Sequence, residues 1–134
     1  IDNFCDKTED QLRNMKDAGF RDPYIGVESG DDYLLKFMNK GYDAKTAREQ
    51  LEKLEAAGFS YVVNWINGLG GKGYGLNHAV KTAELYQGLH PSMIDISSLV
   101  LVPKTGLWYI AQRGKYEEAG EVERLQELQE FLRV

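Results

Sequence analysis

The sequence predicts an α/β fold: three parallel strands with flanking helices, forming a partial (half) (β/α) barrel. Three observations predict it. Short runs rich in β-branched and aromatic residues recur at 24–27, 60–68 and 93–102. Between them lie stretches with apolar residues at helical spacing, and glycines or a proline punctuate the elements. Strands joined through helices make right-handed crossovers, and hence a parallel sheet.

The elements follow in order. After a short lead, residues 9–19 place Leu12, Met15 and Ala18 at helical spacing, with Gly19 as the stop. The first strand, PYIGVE, ends on Glu28 and turns through Ser29 and Gly30 into a helix over 31–39, capped by Asp31 or Asp32. Lys40 closes that helix before Gly41, where the macrodipole favours a cation. A longer helix over 44–57 turns Ala47, Leu51 and Leu54 to one side and stops at Gly58. The second strand, SYVVNWING, is apolar apart from Asn64 and Asn67. The glycine-rich GLGGKGYG leads into a helix over 76–89, and Pro103 ends the third strand, MIDISSLVLV. Two closing helices lie in TGLWYIAQRGKY and EVERLQELQEFLRV, the last amphipathic through Val122, Leu125, Leu128 and Leu132. Trp65, Trp108, Tyr109 and Phe131 stand at core spacing, and the charged run KYEEAGEVERLQE reads as a solvated face.

Composition narrows the function. At 134 residues and 43% apolar, residues 1–134 are expected to form a single compact unit. Sixteen basic against 21 acidic residues leave a net charge of -5, which disfavours nucleic acid as a partner through a basic patch. No apolar run approaches the roughly 20 residues that cross a bilayer, so no membrane partner and a cytoplasmic location are expected. Cys5 is the single cysteine, too few for a disulfide, a cysteine-ligated cluster or a structural zinc site. No metal-binding residues are therefore assigned. The start at Ile1 and the missing cysteines suit a fragment of a longer protein.

Two polar side chains inside strands need partners or a ligand: Glu28 and Asn64. The strings GVESG and LLKFMNKG, then NGLGG followed by HAVKTAE, resemble the second half of a radical S-adenosylmethionine (SAM) enzyme. The likeness is to the group that includes coproporphyrinogen-oxidase-like enzymes and Fe-S oxidoreductases. It implies the C-terminal half of a TIM-like catalytic barrel without the CxxxCxxC segment. The parent would reductively cleave SAM at a [4Fe-4S] cluster to start radical chemistry on a substrate that the resemblance leaves open. It further implies SAM contacts at Glu28, with Ser29 beside it, at Lys40, at Asn64, at Gly68 in the close-approach loop, and through the backbone at Val100. No catalytic residue is assigned, and the fragment alone is expected to be inactive and to hold neither SAM nor the cluster stably. The chain departs from the pattern with Lys40 where arginine is commoner, Asn64 where aspartate can stand, and PKTGL after the third strand.

The expected partners are the rest of its own catalytic domain and a substrate of unknown class. Tyr24, Val62, Ile66 and Val102 would leave an apolar sheet face uncovered, so a homodimer or swapped assembly through that face is also expected. The alternatives are a nucleotide-binding module using GLGGKG as an anion loop, or a non-catalytic interaction fragment. A Rossmann unit wants an acid at the end of the next strand, whereas Asp95 begins it. His78 and His90 lack metal-ligand spacing and read as helix-surface or loop residues, and Cys5 as a bystander.

Overall fold

The computed structural model describes the backbone of residues 1–134 and the side chains of residues 1 and 4–134. Strands β1 (Tyr24–Glu28), β2 (Val62–Asn67) and β3 (Met93–Ser98) form one parallel sheet in the order β1-β2-β3. Helices α1 (Asp2–Cys5) and α2 (Glu9–Asp17) precede it, and α3 (Asp32–Phe37) and α4 (Ala44–Ala56) join β1 to β2. Helix α5 (Gly75–Tyr86) joins β2 to β3, and α6 (Gly106–Gln112) and α7 (Glu121–Arg133) close the chain. This is the predicted α/β architecture, with strands in chain order as in part of a barrel.

Local chemistry sets the helix boundaries. Thr8 and Gln11 make a reciprocal capping box on α2, while Asp31 and Asp43 cap α3 and α4 through the amides of Tyr33 and Thr46. Gly19 and Gly58 end α2 and α4 in the left-handed conformation. On one face of the sheet Ile25, Val27, Val63 and Trp65 are buried with Ala47, Leu51 and Leu54 of α4, Ala79 of α5 and Phe131 of α7. Burial of each such leucine, isoleucine or valine contributes about 1.5–3 kcal/mol. Exposed ion pairs such as Arg13–Glu9 and Arg48–Glu52 contribute about 0.3–0.5 kcal/mol each, so the core decides stability.

Several expectations are corrected. The third strand ends at Ser98 instead of running to Val102, because after the last ladder bond, from the Leu99 N–H to the Asn67 carbonyl, the Leu99 carbonyl is taken by Arg124. Helix α6, which follows this edge strand, has no buried residue, so Trp108 and Tyr109 pack on each other rather than in the core. The inward residues of α7 are Glu127 and Phe131, whereas Val122, Leu125 and Leu132 are 68%, 66% and 73% exposed. The stacking of Phe131 on Trp65 at 4.3 Å fixes that rotation. His78 is fully buried rather than on a surface, paired with Glu127. The run 115–127 is a clasp on the glycine loop rather than a uniformly solvated face, as described below.

Candidate functional site

The opposite face of the sheet carries the polar residues. Parallel register aligns Gly26 with Asn64 and Asn64 with Asp95, so these three stand level across the sheet. Glu28 is the last residue of β1, where the pairing shifts and φ reaches +67°. Its carboxylate bends back over Gly26: a Cβ built on Gly26 would lie 3.4 Å from Glu28 Oε1. The missing side chain thus makes the space that brings the Glu28 carboxylate onto the face shared with Asn64.

Lys40 reaches the same place from beyond α3. Its Nζ is 2.9 Å from Glu28 Oε1, both side chains being about one quarter exposed, and lies 5.8 Å from the Tyr42 ring centroid. Asn39 at φ +55° turns the chain so that Lys40 leaves the helix axis. The Tyr42 hydroxyl donates to the Gly26 carbonyl at 3.0 Å, tying this turn to β1.

Asn64 is 8% exposed and donates its amide to Ser97 Oγ at 3.0 Å and to the Asp95 carbonyl at 3.3 Å. The Tyr24 hydroxyl donates to Asp95 Oδ2, and this bond holds the phenol above its ordinary titration range. Tyr24, Asp95 and Ser97 escaped sequence reasoning as site residues. Strand alternation from Asn64, together with a parallel register, was the signal that places them on its face.

The other predicted positions fall at the strand exits or behind them. Ser29 is fully buried, and its hydroxyl accepts the Asp31 N–H at 3.0 Å, so its side chain serves the turn. Gly68 has φ +81°, with its N–H committed to Glu127 Oε2 at 3.0 Å. Val100 follows β3 and is 71% exposed. Glu28, Gly68 and Val100 therefore mark the C-terminal ends of three adjacent strands, the edge at which β/α sheets place ligands.

The GLGGKG loop is not built for an anion. The Lys72 N–H donates to the Glu117 carbonyl and the Gly73 N–H to Glu123 Oε1, while Lys72 Nζ pairs with the Glu117 carboxylate at 2.6 Å. Glutamates thus already occupy the donors a phosphate would need. Among the described residues no group of three or more His, Cys, Asp or Glu could hold a metal ion, and Cys5 is exposed.

Residues 3–86 match the Radical SAM superfamily, more than half of the chain. The chain belongs to that superfamily. Two solved structures share its fold. One is the archaeal Methanocaldococcus infernus Elp3 with an N-terminal deletion, with TM-score 0.76, 18% identity, and coverage of 92% of this chain and 29% of that one. The other is coproporphyrinogen III oxidase (HemN) from Escherichia coli, described as a radical SAM enzyme, with TM-score 0.72, 20% identity, and coverage of 96% and 29%. This radical SAM chain thus corresponds to under a third of either neighbour's length. No curated protein matches it. The general reaction of the superfamily is cleavage of SAM at an Fe-S cluster. Among the described residues no helix is long and apolar enough to cross a membrane.

Proposed function

We propose that this chain is the C-terminal part of a radical SAM catalytic domain and forms one wall of its SAM site. The observation that carries the reading is the convergence of Glu28 and Lys40 over Gly26, beside Asn64, at the C-terminal edge of the sheet. The donor set fits SAM. A carboxylate accepts the two ribose hydroxyls, an ammonium pairs with the methionyl carboxylate, and a carboxamide both donates and accepts. Gly68 and Val100, at the neighbouring strand exits, complete the wall with backbone. SAM, when bound, would supply a sulfonium whose C–S bond is broken reductively in this superfamily, which releases the adenosyl group as a radical and leaves methionine. The cluster does not fit this chain: its one cysteine, Cys5, cannot supply a cysteine ligand set.

Calorimetry on the purified chain tests the reading. With one wall of the site present, SAM should bind weakly and reversibly rather than stably, with NAD and ATP silent. Glu28→Ala and Lys40→Met should each weaken SAM at least tenfold, since a charge-assisted hydrogen bond contributes about 1.5–3 kcal/mol and about 1.4 kcal/mol is tenfold. Binding of NAD that vanishes in Gly70→Ala and survives in Glu28→Ala would overturn it. The open polar face would meet the remaining strands of the barrel, and an assembly of two copies through that face is its alternative cover. Light scattering of the purified chain at high concentration separates the two, a clean monomer ruling out the self-assembly.

A further inference from the structure

The exits of β2 and β3 are held by two side chains of one helix. Glu127 of α7 is fully buried; its Oε2 accepts the Gly68 N–H at 3.0 Å, and its Oε1 lies 2.8 Å from Nδ1 of His78, itself fully buried on α5. A hydrogen on Nδ1 matches that contact, and among the described residues Nε2 has no partner. One turn earlier, Arg124 donates from its guanidinium to the Leu99 carbonyl at 2.9 Å and to the Ala119 carbonyl at 3.0 Å, while its own carbonyl accepts the Asn67 amide at 2.9 Å.

The fit depends on absent side chains. A Cβ on Gly75 would stand 2.8 Å from Glu127 Oε2, and one on Gly68 would stand 3.1 Å from Arg124 Nε. Packing alone does not account for a carboxylate here. Removing charged groups from water costs several kcal/mol, and an apolar residue of similar volume often serves stability as well or better. What leucine could not do is accept the Gly68 N–H, which bonds to Glu127 and not to a neighbouring strand, at a residue whose φ of +81° then turns the chain out of β2.

We propose that Glu127 and Arg124 are positioning residues. They set the height and direction at which the chain leaves β2 and β3, and so place Gly68 and Val100 against the cofactor. The proposal rests on the SAM reading above, and its test separates the two.

The full 134-residue chain is compared with Glu127→Leu, Glu127→Gln, Arg124→Met and Arg124→Lys. Phe131→Leu serves as a control that loosens the same helix at its Trp65 contact. SAM affinity is read by calorimetry, and Gly68 and Leu99 amide exchange by NMR, at a temperature where every variant is folded. Glu127→Leu should weaken SAM at least tenfold and speed Gly68 exchange at least tenfold. Arg124→Met should weaken SAM several-fold and speed Leu99 exchange. Glu127→Gln, whose carboxamide oxygen still accepts, should recover most of the loss, and Phe131→Leu, which keeps both Glu127 bonds, should change either reading far less than Glu127→Leu does, even with a lower melting temperature.

Equal effects from Phe131→Leu and Glu127→Leu, or an unchanged Glu127→Leu, would overturn the proposal. If Glu127→Leu does not fold, Arg124→Met against Arg124→Lys decides it. If the unaltered chain shows no SAM affinity, the SAM reading fails by itself, and amide exchange at Gly68 and Leu99 still decides the positioning.

Discussion

Gly30→Ala is expected to destabilise the protein by about 3 kcal/mol, the upper end of the usual cost of overpacking. An added Cβ would stand 2.4 Å from the Lys81 carbonyl oxygen, 2.6 Å from the Thr82 Cα and 2.9 Å from the Lys81 carbonyl carbon. All three are backbone atoms of α5, so no side chain can rotate away and the helix itself must move. That movement would also stretch the Gly30 N–H bond to Thr82 Oγ1, now 3.0 Å. Because the clash sits two residues after Glu28, the same shift would displace the carboxylate from Lys40, and SAM affinity should fall with stability. Gly106→Ala is the matched control, since a Cβ there meets nothing within 4 Å and the residue opens α6. Thermal melts should separate the two variants by roughly 10 °C, given about 3–6 °C per kcal/mol for a domain of this size. Coincident melts would mean that α5 does not approach Gly30 as described.

The contrast between these two glycines shows what was legible in the sequence. The strand and helix order and the parallel sheet follow from local spacing, and so do most boundaries within a few residues. Glu28 and Asn64 stood out because a polar group within an apolar strand needs a reason. Lys40 alone reads as a helix-end lysine, and only the family resemblance marks it as a site residue. What escaped were contacts between residues far apart in the chain. His78 and Glu127 are 49 positions apart, and each reads alone as an ordinary helix-surface residue. The apolar spacing of α7 marks Val122, Leu125, Leu128 and Leu132 as its apolar side, and of these only Leu128 packs against the core. The helix is rotated instead by Phe131 on Trp65 and by Glu127 on Gly68, two tertiary contacts with no local signature. Aromatic content likewise suggested a buried α6, but that helix follows an edge strand with nothing outside to pack on.

Asp31 should make the protein acid-sensitive, with an effect second only to that of Gly30. Its side chain is fully buried at the start of α3. Oδ2 accepts from the Tyr74 hydroxyl at 2.7 Å and from the Asn77 amide at 3.3 Å, and Oδ1 accepts from the Tyr33 N–H at 2.9 Å and from Lys81 Nζ at 3.1 Å. Burial alone would raise its pKa, but the bonds from Tyr74, Lys81 and the Tyr33 amide together outweigh burial and hold it below the usual carboxylate range. The partner agrees in sign: burial, then the bond to Asp31, pushes Tyr74 up to about 12. A carboxylate with a lowered folded pKa adds stability that is fully present above its unfolded value of about 3.9, and loses it as pH falls through the folded value. Asp31→Asn should therefore destabilise by about 2–3 kcal/mol near pH 7, as expected when a charged hydrogen-bond acceptor is removed from donors that remain. That difference should shrink steadily below about pH 4, where the carboxyl takes up its proton in the unfolded chain before it does in the folded one. The carboxyls of Asp43, Glu55 and Glu123 are also held low, but they are common to both proteins and cancel in the comparison. Urea unfolding of both proteins between pH 3 and 7 measures the difference directly. A gap that stays constant across that range would mean that Asp31 is held by shape and not by charge, and that the bridge from the Glu28 turn to α5 is weaker than its geometry implies.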